Sequence, residues 1–246
     1  MAAPQPEATS APAYTPFVTD VWRLIRAPFT PRAVFEEQRE APTFWIPWLV
    51  VGLAFVVLQI LQRPFQARVR EIVLQHLNQP VPAGGAGAAA TLIGLVTGLL
   101  TVLILAAICA GIYYVIVTSM GGQTSYKKML TVTIFAWPIA ILQQVLTFVV
   151  LSMRGVDSIT SVWDVYVSFG ADQLLPADAN LGAFMRFLLA GIGPLSIWQV
   201  TITAVGLQVL GKASKGAAWT AAIVAWAILL VLLSALGAMG MKAAGG

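Results

Sequence analysis

The chain has 246 residues, of which 59% are hydrophobic and only 10% charged, against roughly 25% charged in an average soluble domain. A soluble fold of this length cannot hide so much apolar surface, which leaves lipid as the solvent. The net charge of +4 comes from Lys and Arg that flank apolar runs rather than form a patch, a distribution that serves membrane orientation and excludes nucleic-acid binding.

Residues 1–16 are rich in Ala and Pro with Glu7 as the one acid. They lack the basic and apolar regions of a signal peptide and read as a disordered tail. Over 17–42, Val18, Val21, Trp22 and Ile25 recur at helical spacing beside Arg23 and Arg26. Thr30 and Pro31 then open a second short helix, with Val34 and Phe35 as its apolar side, and Pro42 closes it. Both pieces are amphipathic, which predicts cytoplasmic or interfacial helices lying on the membrane.

A bilayer core of about 30 Å needs about 20 apolar residues in a helix. Five stretches of the region 43–240 qualify: 43–62, 88–120, 129–153, 183–210 and 217–239. The only charged residue inside them is Arg186, close enough to an end to snorkel. The second is longer than a span needs and must tilt or extend past the interface. Between the first two, 64–79 repeats the amphipathic pattern: Phe65, Val69, Ile72, Val73 and Leu77 oppose Arg68, Arg70, Glu71 and His76. Pro80 and the glycines at 84, 85 and 87 end it. The expected fold is an all-α polytopic bundle of five transmembrane helices, with amphipathic interfacial helices near the N-terminus and after the first span.

Basic residues near span ends give the orientation. With the N-terminus inside, eight of them (Arg23, Arg26, Arg32, Arg39, Lys127, Lys128, Lys212, Lys215) lie inside, and six lie outside. The connector 154–182 carries Asp157, Asp164, Asp172 and Asp178. This predicts a cytoplasmic N-terminus and an outside C-terminus. Abundant Ala and Gly beside few Lys and Asn point to a GC-rich bacterial genome, hence the inner membrane.

A shift of 89 residues places Gly122, Ser125, Thr131, Ile134, Ala136, Trp137 and Ile139 on Gly211, Ser214, Thr220, Ile223, Ala225, Trp226 and Ile228. Apolar composition alone gives one or two such identities in this window. Spans two and three therefore read as a repeat of spans four and five, with Trp137 expected over Trp226.

The chain offers no catalytic set. One His, one Cys and scattered acids form no HExxH, CxxC or GxSxG arrangement, and Glu36, Glu37 and Glu40 beside Arg32 and Arg39 read as a solvated face. No cofactor or metal is implied, and Cys109 alone permits no intrachain disulfide. Two sets of residues carry the functional readings. Small residues four apart, at Gly94 and Gly98, Ala107 and Gly111, and Ala217, Ala221 and Ala225, let helices approach closely, either within the bundle or against a partner. Amide and hydroxyl groups at Gln143, Gln144 and Gln199, with the interruption at Gly191, Gly193 and Pro194, would line a path for an uncharged solute.

Arg26-Ala-Pro28 and Pro31-Arg-Ala-Val-Phe35-Glu-Glu precede the first span. Gly121-Gly122-Gln-Thr-Ser125-Tyr-Lys opens the third, which contains Ala136-Trp137-Pro138, and Gly211-Lys-Ala-Ser214-Lys-Gly216-Ala leads into the last. This order resembles the bacterial branch of the Yip1-domain family over about residues 22–238. The resemblance implies five spans and a cytoplasmic N-terminus. For eukaryotic members it implies vesicle traffic and contact with prenylated small GTPases, but their Asp-Leu-Tyr-Gly-Pro-like signature is absent, so GTPase contact does not carry over. The resulting expectation is a non-enzymatic membrane scaffold or assembly protein whose partners are lipids and other membrane proteins or itself. The alternative is a channel or transporter between spans three and four.

Overall fold

A computed structural model describes residues 16–79, 88–176 and 181–243, and every regular element among them is helical. The expected tail lies outside the described residues apart from Pro16, as do Pro80 and the glycines at 84–87. The α-helices run α1 (Pro16–Arg26), α2 (Pro31–Glu37), α3 (Trp45–Leu61), α4 (Arg63–His76), α5 (Ala88–Ser119), α6 (Tyr126–Ala136), α7 (Pro138–Arg154), α8 (Ala183–Ala190), α9 (Pro194–Leu210) and α10 (Lys215–Ala243).

Three stretches are long and apolar enough to cross a membrane: Leu92–Ser119, Tyr126–Arg154 (α6 with α7) and Lys215–Lys242. Two further pairs qualify only together. The α3–α4 pair bends by 56° and the α8–α9 pair by 57°. The span count is therefore three to five, and it reaches five if each bent pair is one span. Proline punctuates these lines. Pro138 and Pro194 stand at the first position of α7 and α9, where the missing N–H has no intrahelical partner to lose.

The hub is α6. Residues 131–136 are all buried, as is Met129, because α5, α9 and α3 pack around this helix. The helix pairings repeat: α5 lies on α6 as α9 lies on α10, and α10 lies on α5 as α6 lies on α9. The corners of the two hairpins meet. A Cβ placed on Gly122 would stand 3.0 Å from the carbonyl oxygen of Gly211, its partner under the 89-residue shift. Equivalent positions touch each other where two copies meet on a rotation axis. The same register is buried in both, Met129, Val132, Thr133 and Ala136 on α6 and Ala218, Ala221, Ala222 and Ala225 on α10. The tryptophans, however, do not share surroundings. Trp137 packs edge-on against Phe55 at the α6–α7 junction, whereas Trp226 sits within uninterrupted α10.

The amphipathic helices dock differently from the expectation. Val34 and Phe35 of α2 are fully buried, because α2 packs its apolar side on α9 and not on lipid. The Phe35 ring lies 2.8 Å from where a Cβ on Gly206 would stand, so only glycine leaves room for it. Thr30 occupies the N-cap position of α2, but its hydroxyl donates back to the Arg26 carbonyl. The apolar side of α4 is likewise covered by protein: Phe65, Val69 and Ile72 pack with Leu151 and Ile159.

Candidate partner and lipid surfaces

On α1 the inward side carries Asp20 beside the apolar Leu24. Asp20 is buried, while Trp22 and Ile25 are more than half exposed. The Asp20 carboxylate accepts from the Thr43 hydroxyl at 3.0 Å and pairs with Arg23 at 3.3 Å. The Gln38 amide donates to that hydroxyl at 3.0 Å and accepts from the Thr43 N–H at 2.8 Å. Thr131 on α6 donates to the Thr43 carbonyl at 3.1 Å. Arg23 and Arg26 both reach Glu37 on α2. This network fastens α1 and α2 to α6 at one end of the bundle. The sequence reading missed it, since isolated polar residues in an amphipathic run read as solvated. Gly206, the one glycine within α9, was a legible signal of close approach.

The small-residue stripes separate into distinct settings. Ala217, Ala221 and Ala225 are buried inside the bundle, on the face of α10 that meets its neighbours. Ala107 and Gly111 are half-buried, and the Tyr126 hydroxyl donates to the Ala107 carbonyl at 2.9 Å. Gly94 and Gly98 face a groove between α3 and α5. The two helices are tight at Gly52, where a Cβ would stand 2.7 Å from Leu99, and part toward Gly94. Among the described residues nothing lies within 4 Å of a Cβ on Gly94, and only the Gln59 and Val56 side chains approach Gly98. The groove holds a cavity of about 430 Å³ lined by Phe55, Gln59, Thr97, Thr101 and Trp137 among others. A second cavity of about 380 Å³, sharing Gln59 and Gly94, continues it toward Arg63 and Gln66.

The polar-path candidates lie apart. Gln143 and Gln144 are exposed on α7, and Gln199 is half-buried on α9. The break at Gly191, Gly193 and Pro194 packs against the connector: Ala171 N–H donates to the Ile192 carbonyl at 2.9 Å, and a Cβ on Gly193 would stand 2.5 Å from the Phe169 carbonyl oxygen. The Gly193 N–H donates to the Ser196 hydroxyl at 2.9 Å. The broken helix thus spends its polar groups on its own chain.

The connector is built on aromatics. Trp163 stacks on Phe187, Tyr166 meets Phe187 edge-on, and Arg186 lies 5.3 Å over the Trp163 ring. Burial, and then the nearby charge of Asp172, push the Tyr166 hydroxyl pKa up. The Asp164 carboxylate is held below its usual range first by the Thr160 N–H, with the Ser161 N–H and the hydroxyls of Thr160 and Ser161 adding to it.

Beside the α1–α2 network, a cavity of about 590 Å³ opens between α2 and the last turns of α9. Its lining includes Thr30, Arg32, Glu36, Arg39 and Gln208 together with Phe29, Val205 and Val209. Among the described residues no three His, Cys, Asp or Glu side chains form a metal-holding group.

Comparison with known proteins gives two findings. The Yip1 domain model matches residues 23–236. The chain is similar to the membrane protein YknW of Bacillus subtilis, with 29% identity over 209 residues, covering 82% of this chain and 84% of that protein. No solved structure matches.

Proposed function

On the premise that this chain belongs to the Yip1 domain family of membrane proteins, we propose that it is a non-enzymatic scaffold that holds a helix of another membrane protein in the α3–α5 groove. The observation that carries this reading is the openness of Gly94, one turn from Gly98, beside the hydroxyls of Thr97 and Thr101 and the amide of Gln59. Close backbone approach at small residues, with a few interhelical hydrogen bonds of about 0.6–2 kcal/mol each, is how helices associate in lipid. The solute-path reading lacks such support, because Gln143 and Gln144 face outward. The Lys and Arg bias supports an inner-membrane protein with its N-terminus in the cytoplasm. Cysteine labelling at positions 127 and 164 in a Cys109→Ala background tests this orientation, and labelling of both from one side would reject it.

A photo-crosslinker at Thr97 tests the groove in native membranes, with a crosslinker at exposed Val115 as control. The expected result is a protein adduct from 97 that Gly98→Leu removes. Adducts to lipid alone would reject the scaffold. So would a cellular phenotype lost in Gln143→Leu with Gln144→Leu while Gly98→Leu changes nothing.

A further inference from the structure

The cavity between α2 and α9 lies outside the groove, and we propose that it binds the headgroup and glycerol of an anionic phospholipid from the leaflet on the N-terminal side. Its walls divide by chemistry. Val205, Val209 and Phe29 line it with apolar surface, while Arg32, Glu36, Arg39 and Gln208 line it with polar groups. Charge selects the headgroup. Arg32 pairs with Glu36 at 3.1 Å, and Arg39 has no ion pair among the described residues. Two guanidinium groups against one carboxylate leave a net positive rim, which complements a phosphodiester carrying no balancing amine.

Depth selects a lipid over a free ion. Val18, Trp22, Ile25 and Phe29 stand exposed along one side of α1 and its end, while Asp20 and Arg23 turn inward to the protein network. Leu24 and Ala27 also turn inward, so this exposed row is apolar surface beyond what docking uses, which suits a helix at the membrane interface. Phe29 belongs both to that ridge and to the cavity wall, and it is 73% exposed. The cavity mouth is therefore level with the headgroups. Gln208 and Val209 adjoin the corner carrying Lys212, so the same end of the bundle already bears positive charge.

The test uses the full chain in nanodiscs of phosphatidylglycerol and phosphatidylcholine in equal parts, with retained lipid read by native mass spectrometry. Phosphatidylglycerol should be retained preferentially. Arg39→Gln should weaken that retention roughly fivefold, and Arg32→Gln with Arg39→Gln roughly 25-fold, since each basic residue near an anionic surface contributes about a factor of five. Ala33→Trp, which leaves both arginines and fills the exposed rim, should displace the lipid as well. Equal retention in the arginine variants would overturn the site. An equal loss in Lys127→Gln with Lys128→Gln would also overturn it, by showing only diffuse charge. Thermal stabilisation by inorganic phosphate matching that by phosphatidylglycerol would reduce it to an ion site and reject the lipid.

Discussion

The two helices α6 and α10 carry the same pattern and live in different surroundings. Both follow a Gly- and Ser-bearing corner, and both bury one register toward the contact between hairpins: Val132, Thr133 and Ala136 in one, Ala221, Ala222 and Ala225 in the other. The opposite sides differ. Ile134 is fully buried, while its equivalent Ile223 is 46% exposed, and Ile139 and Ile228 differ in the same way. The difference follows the neighbours: α3 packs along α5, α6 and α7 of the first copy, and nothing among the described residues covers the outer side of α10. A repeated sequence therefore fixes the interface that the copies share and leaves their outer faces to their neighbours.

The largest effect should come from α2, which packs on α9 of the second hairpin and reaches α6 of the first. Phe35 joins α2 to Phe135 of α6 edge-on and fills the space above Gly206. Phe35→Ala should cost about 3 kcal/mol, the low end of the aromatic-to-alanine range, because lipid and headgroups replace part of the lost burial. Gly206→Val, which gives the second hairpin the residue that the first carries at Val117, should undock α2 by overpacking at about 1–3 kcal/mol. Both are read as a lowered melting temperature in detergent, with new protease sensitivity at 38–43. An unchanged melting curve would show that the docking of α2 on α9 adds nothing to the stability of the bundle.

The comparison sharpens with a single pair of substitutions. Ile134→Ala should destabilise by about 2 kcal/mol through lost packing, and Ile223→Ala by under about 0.5 kcal/mol, although the two residues are equivalent in sequence. Equal costs would mean that the outer side of α10 is covered by something, such as a second copy or a partner. In that case size measurement in gentle detergent should show the larger particle.

These contrasts mark how far the sequence could be read. Long apolar runs gave the helices and their corners, because lipid forces every backbone group into a helix. The repeat was read from Gly122, Gly211 and the paired tryptophans; the structure brings the two glycines together, but Trp137 and Trp226 do not share surroundings. What amphipathicity could not distinguish was an apolar side meeting lipid from one meeting protein. Val34 and Phe35 of α2 pack on α9, while Trp22 and Ile25 of α1 remain exposed, and the two patterns look alike in sequence. The small-residue stripes were ambiguous for the same reason. Spacing marks where backbones can approach, so Ala221 inside the bundle and Gly94 in the open groove have the same signature. The Asp20–Gln38–Thr43–Thr131 network was invisible, since its members lie far apart in the chain and no periodicity links them.

The smallest expected effect lies in the connector, which joins the two hairpins and belongs to neither. The Asp164 carboxylate accepts the Thr160 N–H at 2.8 Å and the Ser161 N–H at 2.7 Å, and the Thr160 hydroxyl at 3.0 Å. These bonds favour the ionised form and hold its pKa below the usual value. Because the folded value is depressed, the stabilisation is complete at neutral pH. It begins to fall as pH drops through the unfolded Asp value near 3.9, and it is lost below the folded value. In Asp164→Asn an amide oxygen can still accept, but without the charge that strengthens such bonds, so the local cost should be under about 1 kcal/mol. Amide protection factors at Thr160 and Ser161 should fall several-fold in the variant and show no dependence on pH below neutrality. In the unsubstituted chain they should descend toward the variant's level as the carboxylate is protonated. The melting temperature of the bundle should move little, since these bonds close within 160–164 and touch neither α6 nor α10. A large drop in melting temperature would show instead that the connector helps hold the two hairpins together.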